Sequence, residues 1–366
     1  MKAECIKEKF CRAVSKVEKI TGKNMTLPIL SCIMIEAKGN FLILKATNLD
    51  LGIEIKIPAK VLKEGVVTVL GSVLNSFLSN LSGDNNLILE EKEGNLFIFG
   101  SNSQTIIKSY QSEDFPTIPK IKDGKIYEIN SLDLIKGLKS VCYSASLSNI
   151  KPELSSVYIH SKDEGLFFVA TDSFRLAEKV IKFKKNSDFE QILIPFKNVT
   201  DLLKIINEEK EFLAINFTKN QISFEYGDTY IVSRVIDGVF PDYQQIIAKE
   251  FKTEVIVLKQ DLINNLKLSN VFSDNFNQIK IKVSPKEKVL ELKTKNSNIG
   301  ENVNKLMATI TGEEIEINFN HKYIIDCFQS IDSDSVSLSF NGLNKPMVIK
   351  GVSDKSFTYL VMPMNR

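Results

Sequence analysis

The sequence predicts an α+β protein built from three similar domains in a row, each a doubled unit of strand, helix and further strands. Three observations carry this reading. The first is internal repetition. KATNLDLGIEIKI, from Lys45, aligns with VATDSFRLAEKVI, from Val169, and DFPTIP, from Asp114, aligns with VFPDYQ, from Val239, both at a spacing near 125 residues. The second is a strand-then-helix opening that recurs near residues 4, 127 and 255: ECIKEKFCRAVSKV, YEINSLDLIKGLKSV and VIVLKQDLINNLKLSNV. The third is a second copy of that opening inside each repeat, ILIPFKNVTDLLKII and EIEINFNHKYIIDCF being the clear cases.

The elements follow in order. Residues 7–20 form a helix whose apolar face is Ile6, Phe10, Ala13, Val14, Val17 and Ile20 at helical spacing. FLILKAT, GLFFVAT and VSLSFNG are short β-rich runs that read as strands. Proline-bearing stretches at 112–124 and 237–251 separate the repeats, so the domains are expected at 1–120, 121–250 and 251–366. The apolar ending YLVMPMNR is the third copy of the apolar-proline signal. Termini fray unless something holds them, so this one is expected to be strand-anchored.

The 366 residues are 43% hydrophobic and 25% charged, enough apolar material for packed cores. Net charge is only +2, so any polyanion site must come from the placement of charge. The basic residues are almost all lysine; the arginines are Arg12, Arg175, Arg234 and Arg366. Cys5, Cys11, Cys32, Cys142 and Cys327 are scattered without a C-x-x-C pair, which argues against a disulfide framework or a zinc site and for a reducing compartment. The first residues lack a signal-peptide core, and no run approaches the ~18 apolar residues that span a bilayer. A cytoplasmic protein is expected, with no membrane association.

On the first helix Lys9, Arg12, Lys16 and Lys19 share an arc of roughly 80° at 100° per residue. Lys136 and Lys139 are three apart in the second repeat, and Lys197 and Lys204 seven apart. One such stripe is an ordinary solvated face; its recurrence points to a shared cationic surface. Lysines are flexible point charges, suited to phosphates and not to reading bases. Catalytic chemistry has no comparable signature. Phosphate-binding glycine loops, nucleophile elbows and H-E-x-x-H are absent from the sequence. His160 and His321 lack obvious partners, and Asp50 and Asp172 sit in turns after strands. A Mg²⁺-dependent nuclease using Asp50 or Asp172 is the alternative from another class, and a peptide-binding scaffold without DNA is the third. No cofactor and no metal are expected.

TLPIL at 26–30, KPEL at 151–154, ATDSFRLA at 170–177, VFPDY at 239–243, FNHKYIID at 319–326 and YLVMPM at 359–364 together resemble the bacterial DNA polymerase III beta subunit, the replication sliding clamp. The resemblance spans the chain, with the motifs in order. It implies a head-to-tail homodimer closed into a ring of six domains, helices inside and sheets outside, encircling duplex DNA without sequence preference. It implies a non-catalytic processivity factor that tethers the replicative polymerase and is placed on DNA by an ATP-driven loader. It implies a groove for partner peptides with spaced glutamine and apolar residues, formed by Leu154, Thr171, Arg175, Leu176, Pro241, Ile246, Asn320, Tyr323, Leu360, Met362, Pro363 and Met364, with Arg175 bonding peptide carbonyls. The basic stripes would face DNA, joined by Lys23, Asn24 and Asn149. Dimer contacts are expected near Ile106 and Phe272. The chain departs from the family at three places. Ser173-Phe174 replaces Gly-His on a groove wall, Gln244-Gln245 replaces a basic pair, and Asn24 stands where an arginine is common.

Overall fold

The fold is seen in a computed structural model. It describes residues 1–22, 27–83, 85–101, 103–121, 124–183, 189–206, 212–248 and 250–364. Lys23, Asn24 and the start of TLPIL lie outside the described residues. Contacts group the chain into two units, 1–135 with 197–237, and 136–196 with 238–366.

Six times a strand runs straight into a helix. The junctions are Lys2–Ile6 into α1 (Lys7–Glu18), Gly65–Leu70 into α2 (Gly71–Asn80), Ile126–Asn130 into α3 (Ser131–Val141), Ile192–Pro195 into α4 (Phe196–Ile205), Thr253–Leu258 into α5 (Lys259–Asn270) and Ile315–Asn320 into α6 (His321–Asp326). The expected apolar face of α1 is seen, with Phe10, Ala13, Val14 and Val17 buried; the helix ends at Glu18, two residues before Ile20, which is buried in the following turn. At α6 the Asn320 side chain accepts from the Lys322 and Tyr323 amides, satisfying donors that a helix start leaves open.

Strand pairing repeats with the same rule in each third of the chain. The opening strand joins the three strands that follow the second helix, and the strand before the second helix joins the three that follow the first. In the first unit this gives a twelve-stranded sheet, in which Leu51–Lys63 pairs antiparallel with Thr229–Arg234. In the second unit Arg175–Lys182 pairs antiparallel with Phe357–Val361 inside a nine-stranded sheet, beside a four-stranded sheet ending in Gly300–Met307.

These two seams between repeats are in one register. Ile55, Ile53 and Leu51 face Thr229, Ile231 and Ser233. Lys179, Ala177 and Arg175, the residues 124 positions later, face Phe357, Tyr359 and Val361, all 128 positions later. Strands alternate their faces, so a shared register keeps the same face buried at both seams. Across the second seam Leu176 lies opposite Leu360, both buried.

Candidate peptide groove and cationic helix surface

The turn before Arg175 is built twice. Thr171 Oγ1 donates to the Arg175 carbonyl at 2.6 Å and accepts from the Ser173 amide, while Asp172 Oδ1 accepts from the Phe174 and Arg175 amides. In the first repeat Thr47 donates to the Leu51 carbonyl, and Asn48 takes the place of Asp172. Both turns hold a non-glycine residue at φ 77°, Leu49 and Ser173. A side chain there costs about 1–2 kcal/mol. Ser173 therefore occupies a position where glycine would be unstrained. Asp172 is a turn former and an anchor for Arg175; Asp50 pairs with Arg234 at 3.6 Å in the other unit.

Arg175 is only 13% exposed at its side chain. Its Nε donates to Asp172 Oδ2 at 3.0 Å, Nη1 to Asp326 Oδ2 at 2.5 Å, and Nη2 to the Tyr143 carbonyl at 2.7 Å. The guanidinium also stacks 4.6 Å from the Tyr323 ring centroid. Burial alone would lower its pKa, but Tyr359, Asp326 and Asp172 outweigh it and the net direction is upward. Every nitrogen already donates inside the protein. Arg175 thus ties the 171–175 turn, the Tyr143 segment and α6 together, a task the sequence did not suggest.

A cavity of about 700 Å³ opens beside this tie. Asn320, Tyr323, Met362, Pro363 and Met364 line it, as do Phe174, Asp274, Phe276 and Gln278. Of the remaining expected groove residues, Leu154, Thr171, Leu176 and Leu360 are buried, while Pro241 and Ile246 are exposed on the segment after the second repeat. Phe174 had drawn attention as a departure from the family pattern. Asp274 and Phe276, on the loop after α5, and Gln278, which opens the strand Gln278–Ser284, carried no signal, because they match none of the quoted motifs. The chain end is held as expected. Phe357–Val361 is a buried strand, and past it the Met362 amide donates to the Phe174 carbonyl and the Met364 amide to the Asn318 carbonyl, each at 2.8 Å. The methionines are therefore backbone-anchored while their side chains face the cavity.

In the first unit α1 and α4 come together. Lys19 Nζ donates to the Lys204 carbonyl at the end of α4, at 2.7 Å, where the helix dipole favours a cation. Lys16 sits 5.5 Å from the Tyr226 ring centroid. Lys9, Lys197 and Lys204 are exposed, with Lys204 paired to Asp201. Arg12 is paired to Glu8 one turn back, so the stripe is less purely basic than its wheel suggests. In the second unit Lys136 and Lys139 are exposed on α3, Lys136 lying 3.8 Å from Asp332, and Asn149 is exposed on a loop. Both histidines do have partners. His160 Nε2 lies 3.0 Å from the Tyr243 hydroxyl, and His321 Nε2 lies 2.7 Å from the Leu266 carbonyl. Burial lowers the pKa of each.

Three family profiles match in sequence: the N-terminal domain of the DNA polymerase III beta subunit over residues 1–119, its central domain over 128–242, and its C-terminal domain over 244–365. The chain belongs to the DNA polymerase III beta subunit family. Clamp-family relatives are of equal length. The beta sliding clamp of Synechococcus elongatus is 27% identical over all of this chain and 99% of its own, and that of Staphylococcus aureus is 26% identical over 97% of each. The sliding clamp structure from Bacillus subtilis superposes with a TM-score of 0.93 at 24% identity over 100% of this chain and 99% of that one, and the beta subunit from Pseudomonas aeruginosa with 0.95 at 21% over 100% of both. At such identities the superposition speaks for the three-domain clamp fold. The clamp family is a non-catalytic processivity factor, in keeping with the turn-forming role of Asp172 and the pairing of Asp50 with Arg234.

Proposed function

We propose that two copies of this chain close head to tail into a ring that encircles duplex DNA and tethers replication proteins to it. The observation that carries this is the repeated seam. Within one chain, the last strand of a repeat's second sheet pairs with the last strand of the next repeat's first sheet, twice and in one register. The third repeat ends in Gly300–Met307, paired on one side only, and the first repeat offers Gln104–Tyr110, whose outer edge is paired only at Ser109 and Tyr110. Ile106 is 53% exposed on that edge and Met307 74% exposed on the other. Strand edges with unpaired backbone groups invite another strand. An antiparallel pairing that keeps the core faces together would set Asn302, across from buried Thr294, opposite Thr105, across from buried Ile98, and Glu301 opposite Ile106, on different chains, with Phe272 packed near Gly300 at that seam. A head-to-tail contact repeated this way either closes or polymerises, and six repeats from two chains would close it. The domain limits 1–120, 121–250 and 251–366 follow this repeat.

A ring holds DNA by topology, so its contacts need not be tight. The lysines of α1, α3 and α4, with Arg12, Asn149, Lys23 and Asn24, are the proposed inner surface. They meet phosphates loosely and permit sliding. The cavity beside Arg175 is the proposed dock for short peptides of the polymerase, of an ATP-driven loader and of other DNA-processing proteins. A tether of this kind keeps an enzyme at high effective concentration on its template. Among the described residues no helix is long and apolar enough to cross a membrane; the cytoplasm is the proposed location. The test is retention on nicked circular DNA after loading. The ring should stay on circles and leave when the DNA is cut to a linear form. Equal loss from both forms would refute encirclement.

A further inference from the structure

The cavity is not neutral in character. Among the described residues Asp274 is the one fully charged side chain that lines it, and none of the described lysines, arginines or histidines does. Asp274 Oδ1 accepts from the amides of Phe276 and Gln278, both at 3.0 Å, which fixes the carboxylate in place. That leaves Oδ2 with no ion-pair partner among the described residues. Around it stand two exposed aromatic rings, Phe174 at 61% and Phe276 at 63% exposure, with the thioether side chains of Met362 and Met364. The loop bearing Asp274 is clipped to α6, since the His321 amide donates to the Asn277 carbonyl at 2.7 Å. A rigid acid among aromatic faces is the chemistry that holds a cation.

We infer that this groove selects partner peptides carrying a lysine or arginine beside their apolar anchors, with Asp274 as the charge-selecting residue and Phe174 and Phe276 as the flanking faces. The inference rests on the peptide-dock reading above and sharpens it. Apolar anchors fill the space between Tyr323, Pro363 and the methionines, whose flexible side chains repack around different shapes. The cationic head lies against the Asp274 carboxylate, its alkyl stem along an aromatic ring. A glutamate at the same place meets an unpaired carboxylate and is rejected.

The test uses the full-length protein and fluorescein-labelled peptides Gln-Leu-Xaa-Leu-Phe, with Xaa as Lys, Ala or Glu, and a second set with Xaa added after the phenylalanine. Fluorescence polarisation gives each dissociation constant at low and high salt. The lysine peptide of at least one set should bind about fivefold tighter than its glutamate twin at low salt, as an exposed ion pair with a cation–π contact allows. The gap should narrow as salt rises. Asp274→Asn keeps the oxygen that accepts from the turn amides, so it should fold normally and remove the preference, the lysine and glutamate peptides then binding alike. Equal binding of all three peptides in both sets overturns the charge inference and leaves the groove reading standing. A preference that persists in Asp274→Asn also overturns it. Binding of no peptide refutes the groove reading, and the inference with it.

Discussion

Arg175→Met removes the tie between the 171–175 turn, the Tyr143 segment and α6 while keeping an unbranched stem. Three charge-assisted hydrogen bonds disappear, to Asp172, Asp326 and the Tyr143 carbonyl. Such bonds are worth about 1.5–3 kcal/mol each in isolation. They act as one unit here, and Asp326 is 40% exposed and can turn to water. The expected net loss is therefore about 2–4 kcal/mol, near the lower end for breaking a buried pair because two carboxylates lose their partner in a half-open site. Tyr323 also loses the guanidinium that stacks on it, so the cavity wall loosens. Urea unfolding should show an earlier transition for the part of the chain that contains the seam Arg175–Lys182 with Phe357–Val361. Peptide affinity should fall in parallel, and Arg175→Lys should recover little, since an ammonium cannot serve three partners spread over a planar fork. Unchanged stability with abolished peptide binding would refute this reasoning. It would make Arg175 a direct ligand of the peptide, the role the family resemblance implies.

Other predictions follow from the same structure. Lys197→Glu with Lys204→Glu should weaken DNA retention and reduce the log–log salt slope by about two per protomer, measured by binding over a salt series. Deleting residues 362–366 removes two backbone hydrogen bonds and the methionine wall; peptide affinity should drop by more than about tenfold, as expected for losing interface anchors, while retention on circular DNA is preserved. His160 and His321 are held neutral, burial setting their pKa values below the ordinary 6.5. The unfolded chain then binds more protons below that value, so their contribution to stability is present above pH 6.5 and is lost as pH falls. Thermal midpoints should decline from pH 7.5 to pH 5.5, and less steeply in His321→Gln.

What the sequence discloses about this molecule is what depends on local spacing. Five of the six strand-to-helix junctions, the apolar face of α1 and the anchored tail can be read from short windows, because alternation and helical period are local properties. The cationic stripe is legible too, although Glu8, off the stripe on the helical wheel, still reaches Arg12 one turn on. What stays hidden depends on distant partners. Arg175 meets Asp326 across 151 residues, and no pattern links them. Asp274, Phe276 and Gln278 reach the cavity only because Gln278–Ser284 pairs with Ile315–Asn320, bringing their loop to α6. The shared register of the two seams is likewise invisible until the edges meet. Repetition in the chain predicts that the repeats are alike, not that they join edge to edge by one rule.

The central claim is that a third seam of this kind joins one chain to another and closes a ring. Asn302 and Thr105 should lie directly opposite at a non-hydrogen-bonded position, as Ala177 and Tyr359 do inside the chain, where side chains approach most closely. Asn302→Cys with Thr105→Cys, oxidised after loading, should give a covalently closed dimer that stays linked to circular DNA through denaturation, with neither single substitution doing so. A double variant that forms no cross-linked dimer, or a cross-linked dimer that washes off the circle, would contradict the account.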